Sequence, residues 1–113
     1  MKILVADGVS QKAVDILSPN FEVVEKPKLS HEELLDMIGD FEAVIVRSAS
    51  KVTKDVIEKA AKLKIIGRAG VGVDNIDVAA ATARGIIVIN SPGGNTIAAT
   101  EHTMAMMLAM SRN

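Results

Sequence analysis

Five short apolar runs rich in β-branched residues recur along the chain, over 2–6, 21–24, 43–46, 64–66 and 86–89. Apolar positions within them are near-continuous instead of alternating, which is the pattern of strands buried on both faces of a parallel sheet. A segment of helical character follows each run. Ser30-His31-Glu32-Glu33 has the form of a capping box ahead of Leu34, Leu35 and Ile38 at helical spacing, and Gly39 suits the C′ position. Thr53 is a candidate cap for a third helix that carries Val56 and Ile57. Asp74 or Asn75 can cap a fourth, running through Ala79-Ala80-Ala81 to a basic last turn and glycine stop at Arg84-Gly85. A fifth helix is predicted over 96–112, about 25 Å long at 1.5 Å per residue.

Strands alternating with helices make a doubly wound α/β domain with right-handed crossovers. The count suits a flavodoxin-like three-layer sandwich, a five-stranded parallel sheet of order 2-1-3-4-5, and the 113 residues suit a single domain over 1–113. Ligands of such sheets bind beyond the carboxyl ends of the strands. That rim would receive Asp7-Gly8, Glu25-Lys26, Arg47-Ser48, the glycine-rich stretch 67–72 and the loop 90–95.

Composition narrows the function classes. Hydrophobic residues are 49% of the chain, yet it has two Phe and no Tyr or Trp, so the core must be aliphatic. The same lack removes the stacking platforms of single-strand nucleic-acid binders, and a net charge of −1 offers no basic footprint, so no nucleic-acid partner is expected. The absence of cysteine excludes disulfides, thiolate zinc sites and a Cys nucleophile, and it fits a reducing cytoplasm, the expected location. The uncharged apolar run 103–110 falls far short of the about 20 residues needed to cross a bilayer, so no membrane role is expected. His31 sits inside the capping box, and His102 has no second histidine at metal spacing and no serine or cysteine nucleophile nearby. No metal site and no catalytic histidine are expected.

The candidate chemistry lies in three loops. Ile65-Ile66-Gly67-Arg68-Ala69-Gly70-Val71-Gly72-Val73-Asp74-Asn75-Ile76-Asp77 passes from an apolar strand through three glycines to residues that can start a helix. Such a loop lets backbone N–H groups point at a carboxylate or phosphate, although a tight turn without ligand has the same look. Arg47 and Ser48 follow the third strand, where a planar guanidinium and a hydroxyl can meet an anion; a solvated arginine pairing with a surface acid is the plainer alternative. In Asn90-Ser91-Pro92-Gly93-Gly94-Asn95-Thr96, Asn95 or Thr96 can cap the last helix, with Asn95 also free to reach a ligand. Gly70-Val71-Gly72 begins like a dinucleotide fingerprint, but the third glycine is missing and the loop follows the fourth strand instead of the first. Asp7-Gly8-Val9-Ser10 cannot make that cradle either.

Taken in order and spacing, Val46-Arg47-Ser48, the stretch 67–77, Asn90-Ser91-Pro92-Gly93-Gly94-Asn95-Thr96 and Glu101 closely resemble the D-2-hydroxyacid dehydrogenases. The likeness is greatest to the branch that oxidises 3-phosphoglycerate to 3-phosphohydroxypyruvate with NAD at the start of serine synthesis. The resemblance spans the whole chain. It implies the first part of a flavodoxin-like substrate-binding domain, with Arg47 and Ser48 contacting substrate anions, Gly70, Val71 and Gly72 facing the substrate carboxylate, Asn95 near the substrate, and Val71 bordering the nicotinamide. Ala49-Ser50 replaces the family's usual Ala-Thr and keeps the hydroxyl. The family's nucleotide-binding domain, with its G-x-G-x-x-G loop and its catalytic arginine, glutamate and histidine, has no counterpart here. The chain is therefore expected to be an inactive substrate-binding fragment that holds no NAD by itself and binds a 2-hydroxy acid weakly. Its other partners would be the missing domain or, through helix 96–112, a second copy. The alternative is a stand-alone flavodoxin-like binding or structural module with no enzymatic role.

Overall fold

The computed structural model describes residues 2–7, 11–26, 28–47, 49–70, 74–91 and 96–111. Five parallel strands, β1 (Lys2–Val5), β2 (Glu22–Glu25), β3 (Ala43–Val46), β4 (Ile65–Ala69) and β5 (Ile87–Ser91), form one sheet of order β2-β1-β3-β4-β5. This is the flavodoxin-like order expected from the sequence. The helices are α1 (Gln11–Leu17), α2 (His31–Met37), α3 (Lys54–Lys59), α4 (Val78–Ala83) and α5 (Thr96–Ser111).

Alternate residues of the central strands feed two separate cores, because side chains of successive strand residues point to opposite faces. Leu4, Val44, Val46 and Ile66 pack with Leu34 and Ile38, with Val56 and Ile57 of α3 and with Ala81 of α4. Ile3, Ala43, Ile45 and Ile65 pack on the other face with Leu17, Phe21 and Met107. Helices α2, α3 and α4 thus cover one face, and α1 and α5 the other. Burial on both faces explains the unbroken apolar runs.

Helix α5 packs on its own sheet with one side buried and the other exposed. Ala99, Thr100, Thr103 and Met107 form the buried line, whereas Glu101, His102, Ala105 and Ala109 are exposed. The two buried hydroxyls donate to carbonyls one turn back, Thr100 to Thr96 at 2.8 Å and Thr103 to Ala99 at 2.9 Å. Their polar atoms are therefore met within the helix. The helix sits so close to β4 that a Cβ on Gly67 would lie 2.5 Å from Thr103 Oγ1. Gly67, read from the sequence as part of a ligand loop, is a strand residue that seats this helix.

Local signals hold in most places. Ser30 caps α2 with both arms of the capping box made. Gly39 stands at C′ as expected, but the chain tightens there into a 3-10 turn over Ile38–Asp40. Gly85 ends α4 with φ +73, a conformation that suits glycine. Two expectations need correction. Asp77, neither Asp74 nor Asn75, caps α4, accepting from Ala80 N at 3.0 Å. β4 and β5 also outrun the apolar runs, because Arg68 pairs with Asn90 and Ala69 with Ser91, and backbone pairing needs no apolar side chain.

Thr53 stands at the N-cap of α3 as expected, although its side chain makes no cap bond; its hydroxyl donates to Asp55, whose other oxygen lies 3.0 Å from His31 Nε2. These contacts, the Thr53 bond first and His31 second, hold the exposed Asp55 carboxyl down at about 2 from its ordinary 3.8. A depressed carboxylate stabilises the fold above its unfolded value and loses that contribution as pH falls through its folded one. The contribution of this exposed contact is accordingly present above about pH 4 and gone below about pH 2. A carboxyl NMR titration should give Asp55 a midpoint near 2, moving up toward 3.8 in Thr53→Ala. At the α5 seat, Gly67→Ala should cost about 1–3 kcal/mol in urea unfolding through overpacking, and Met107→Ala about 2–5 kcal/mol through the cavity it leaves.

Candidate functional site

The ladders on β3 end at Val5↔Ile45 on one side and Val46↔Arg68 on the other, so Arg47 is the first residue past the sheet. Its residue is exposed, but its backbone is fixed. The Arg47 N–H donates to Asp7 Oδ2 at 2.5 Å, and the Arg47 carbonyl accepts from Asn75 Nδ2 at 2.7 Å. The same two side chains hold Ser50, three residues on. Ser50 N–H and hydroxyl donate to Asp7 Oδ2 and Oδ1 at 3.3 and 2.7 Å, and Ser50 C=O accepts from Asn75 Nδ2 at 2.6 Å. Asp7 is only 5% exposed, and its burial is matched by these donors.

Asn75 is held in turn. Arg68 Nε donates to its Oδ1 at 2.5 Å, so the amide's two donors and its oxygen are all engaged. Its backbone carbonyl accepts from Val52 N at 2.8 Å beside the bridge Val52↔Ile76. The Arg68 guanidinium lies where a Cβ of Gly70 would be, so glycine at 70 makes room for it. Among the described residues, Arg68 Nη1 is buried without a hydrogen-bond partner. Gly70 N–H donates to Ser91 O at 3.2 Å, tying the start of the glycine loop to the end of β5.

Of the residues singled out from the sequence, Arg47 and Gly70 therefore hang from neighbouring strands on one rim. Ser48, Val71, Gly72 and Asn95 lie outside the described residues. Sequence reasoning put Asp7 on this rim without a partner, gave Arg68 and Ser50 no part in it, and offered Asn75, with Asp74, as a helix cap. The available signal was an acid directly after the first strand and an amide directly after the glycine loop, both bound for the same rim.

Two depressions flank this network. One of about 170 Å³ is lined by residues that include Ser30, His31, Ser50 and Lys51. The other, about 230 Å³, is lined by Lys51, Thr53, Asp74, Asn75, Ile76 and Asp77. Among the described residues no group of three or more His, Asp or Glu could hold a metal ion, and no helix is long and apolar enough to cross a membrane.

A family model described as D-isomer specific 2-hydroxyacid dehydrogenase, catalytic domain, matches residues 3–112. D-3-phosphoglycerate dehydrogenase of Methanocaldococcus jannaschii is 56% identical over 113 residues, covering 100% of this chain and 22% of the relative. The Synechocystis D-3-phosphoglycerate dehydrogenase is 54% identical over 112 residues, covering 99% of this chain and 20% of the relative. The chain thus spans about a fifth of the length of these curated relatives. Among solved structures, NAD+-bound 3-phosphoglycerate dehydrogenase from Entamoeba histolytica superposes with TM-score 0.73 at 39% identity, over 82% of this chain and 33% of that one.

The packing of Arg68 against Gly70 gives a double-mutant prediction. Gly70→Ala sets a Cβ against Arg68 Nη1 and Cζ and should thereby weaken the same bond to Asn75 that Arg68→Ala removes. A hydrogen bond to a charged group contributes about 1.5–3 kcal/mol, so each substitution should destabilise the chain while the pair falls short of the sum by about 1 kcal/mol or more in urea unfolding. Additive effects would place Arg68 and Gly70 in separate interactions.

Proposed function

The chain belongs to the D-isomer specific 2-hydroxyacid dehydrogenases, and from that premise we propose that residues 1–113 form the substrate-binding half of a cleft that oxidises 3-phosphoglycerate with NAD. The observation that carries the reading is the exposed Arg47 at the carboxyl rim, its backbone fixed, one strand away from the glycine loop that begins at Gly70. A guanidinium there meets a carboxylate or phosphate with a planar pair of donors, and a fixed backbone lowers the entropy lost on binding. Ser48 would add a hydroxyl beside it. The loop of Gly70, Val71 and Gly72 would face the substrate carboxylate, Gly70 anchoring it through the bond of its own N–H to Ser91 O, with Val71 bordering the nicotinamide and Asn95 near the substrate.

The sheet itself does not fit NAD. In a dinucleotide-binding sheet the turn after the first strand cradles the pyrophosphate. Here that turn starts with Asp7, a buried carboxylate whose two oxygens are engaged with Arg47 and Ser50. Negative charge at that point disfavours a pyrophosphate. NAD binding, hydride transfer and proton transfer are accordingly assigned to a nucleotide-binding domain outside residues 1–113, and these residues alone are assigned weak anion binding without turnover. The outer side of α5, with exposed Ala105 and Ala109, is the surface through which it would meet that domain or a second copy. An independent flavodoxin-like module is the weaker reading, because a single acid, Asp7, follows the first strand and Arg47 follows the third, where a phosphoryl-accepting aspartate would stand.

An amide NMR titration of the chain with 3-phosphoglycerate, then with NADH, tests this reading. Saturable shifts at Arg47 and Gly70 are expected with the acid, with Kd in the millimolar range, about −4 kcal/mol. They should vanish in Arg47→Ala, and NADH should give none. Shifts that survive Arg47→Ala would remove the role given to that residue.

A further inference from the structure

Asp7 and Asn75 lie outside every contact assigned to the substrate above, yet they take up the backbone groups on either side of the substrate arginine. We infer that they are positioning residues: Asp7 grips the N–H groups, and Asn75 the carbonyls, of both Arg47 and Ser50, and together they fix the two ends of the segment that presents Arg47 to its anion. The inference rests on the role proposed for Arg47.

Past the last ladder pair on β3, the peptide groups of this segment would need water or mobile partners. Instead, each end is held at both its donor and its acceptor, by side chains from two different parts of the chain. The division of labour matches the chemistry. An ionised carboxylate only accepts, and it faces two N–H groups and a hydroxyl. An amide nitrogen has two protons, and it faces two carbonyls at 2.7 and 2.6 Å. Arg68 selects that orientation of the amide by donating to its oxygen. Neither side chain is interchangeable with the other. Asp at 75 would keep the Arg68 contact and lose both donors, whereas Asn at 7 keeps an acceptor for the Arg47 N–H and can donate to the Ser50 hydroxyl.

The test is amide hydrogen exchange on the chain, with 3-phosphoglycerate titrations run in parallel on Asn75→Asp, Asp7→Ala, Asp7→Asn and Arg47→Ala. In Asn75→Asp and Asp7→Ala, exchange at Arg47 and Ser50 should rise about tenfold or more, the equivalent of one lost charge-assisted bond, while β1 and β4 amides keep their wild-type rates. The Kd for 3-phosphoglycerate should rise about tenfold with it, as 1.4 kcal/mol corresponds to one decade. Asp7→Asn should keep most of the protection and the affinity, a rescue that a role resting on the negative charge alone would not give. The two disruptive variants act from different elements, so either one that folds suffices. Wild-type exchange and affinity in the folded variants would overturn the inference and leave Arg47 as the anion contact. Undiminished binding in Arg47→Ala would instead sink the role of Arg47, and this inference with it.

Discussion

Where a parallel ladder stops, the peptide groups just beyond its last pair must find partners that are not strands. Most of what is distinctive here follows from how this chain meets that demand at the end of β3. Asp7 leaves β1, Asn75 follows the glycine loop, and both arrive beside residues 47 and 50, where one supplies acceptors and the other donors. Three segments far apart in sequence are thereby locked into one piece of rim. The backbone is held where the arginine leaves the sheet because Asp7, Ser50 and Asn75 meet one another's and its polar groups there, and each would be costly to leave unsatisfied.

The sheet beneath supplies the platform. Central strands buried on both faces hold the rim to a fixed plane, with a largely aliphatic core on either side, each holding one phenylalanine that the sequence reading left out, built on alternate positions of the same strands. Glycine serves this platform twice, each time by leaving out a side chain. At Gly67 it lets α5 come down against β4, and at Gly70 it leaves room for the Arg68 guanidinium that orients Asn75. One glycine therefore acts on packing and the other, through Arg68 and Asn75, on the candidate site. Their shared look in the sequence hides that difference.

The fold was largely legible because continuous apolar runs, a capping box and a glycine stop are local signals, and each of them acts locally in the structure. Strand order also followed, since the number of crossovers leaves few arrangements. The site was legible only in part. Arg47 and Gly70 could be picked out because their chemistry points toward a ligand. Asn75 was read, alongside Asp74, as a candidate helix cap, but its side chain is drawn away by two carbonyls that are 28 and 25 residues distant. Asp77, two residues later, takes the cap. Asp7 could not be assigned for the same reason, because its partners lie 40 and 43 residues along the chain. Long-range polar contacts of this kind have no periodicity to read.

The cross-brace also bears on what can be transplanted. An engineer wishing to move this rim arginine onto another doubly wound sheet would naturally graft the contiguous loop after the third strand. The geometry makes the true unit a discontinuous one: residues 47–50 together with an acid at the end of the first strand and an amide after the fourth, the latter backed by its own arginine and glycine. Carried over without those distant supports, the loop would keep its sequence and lose its shape.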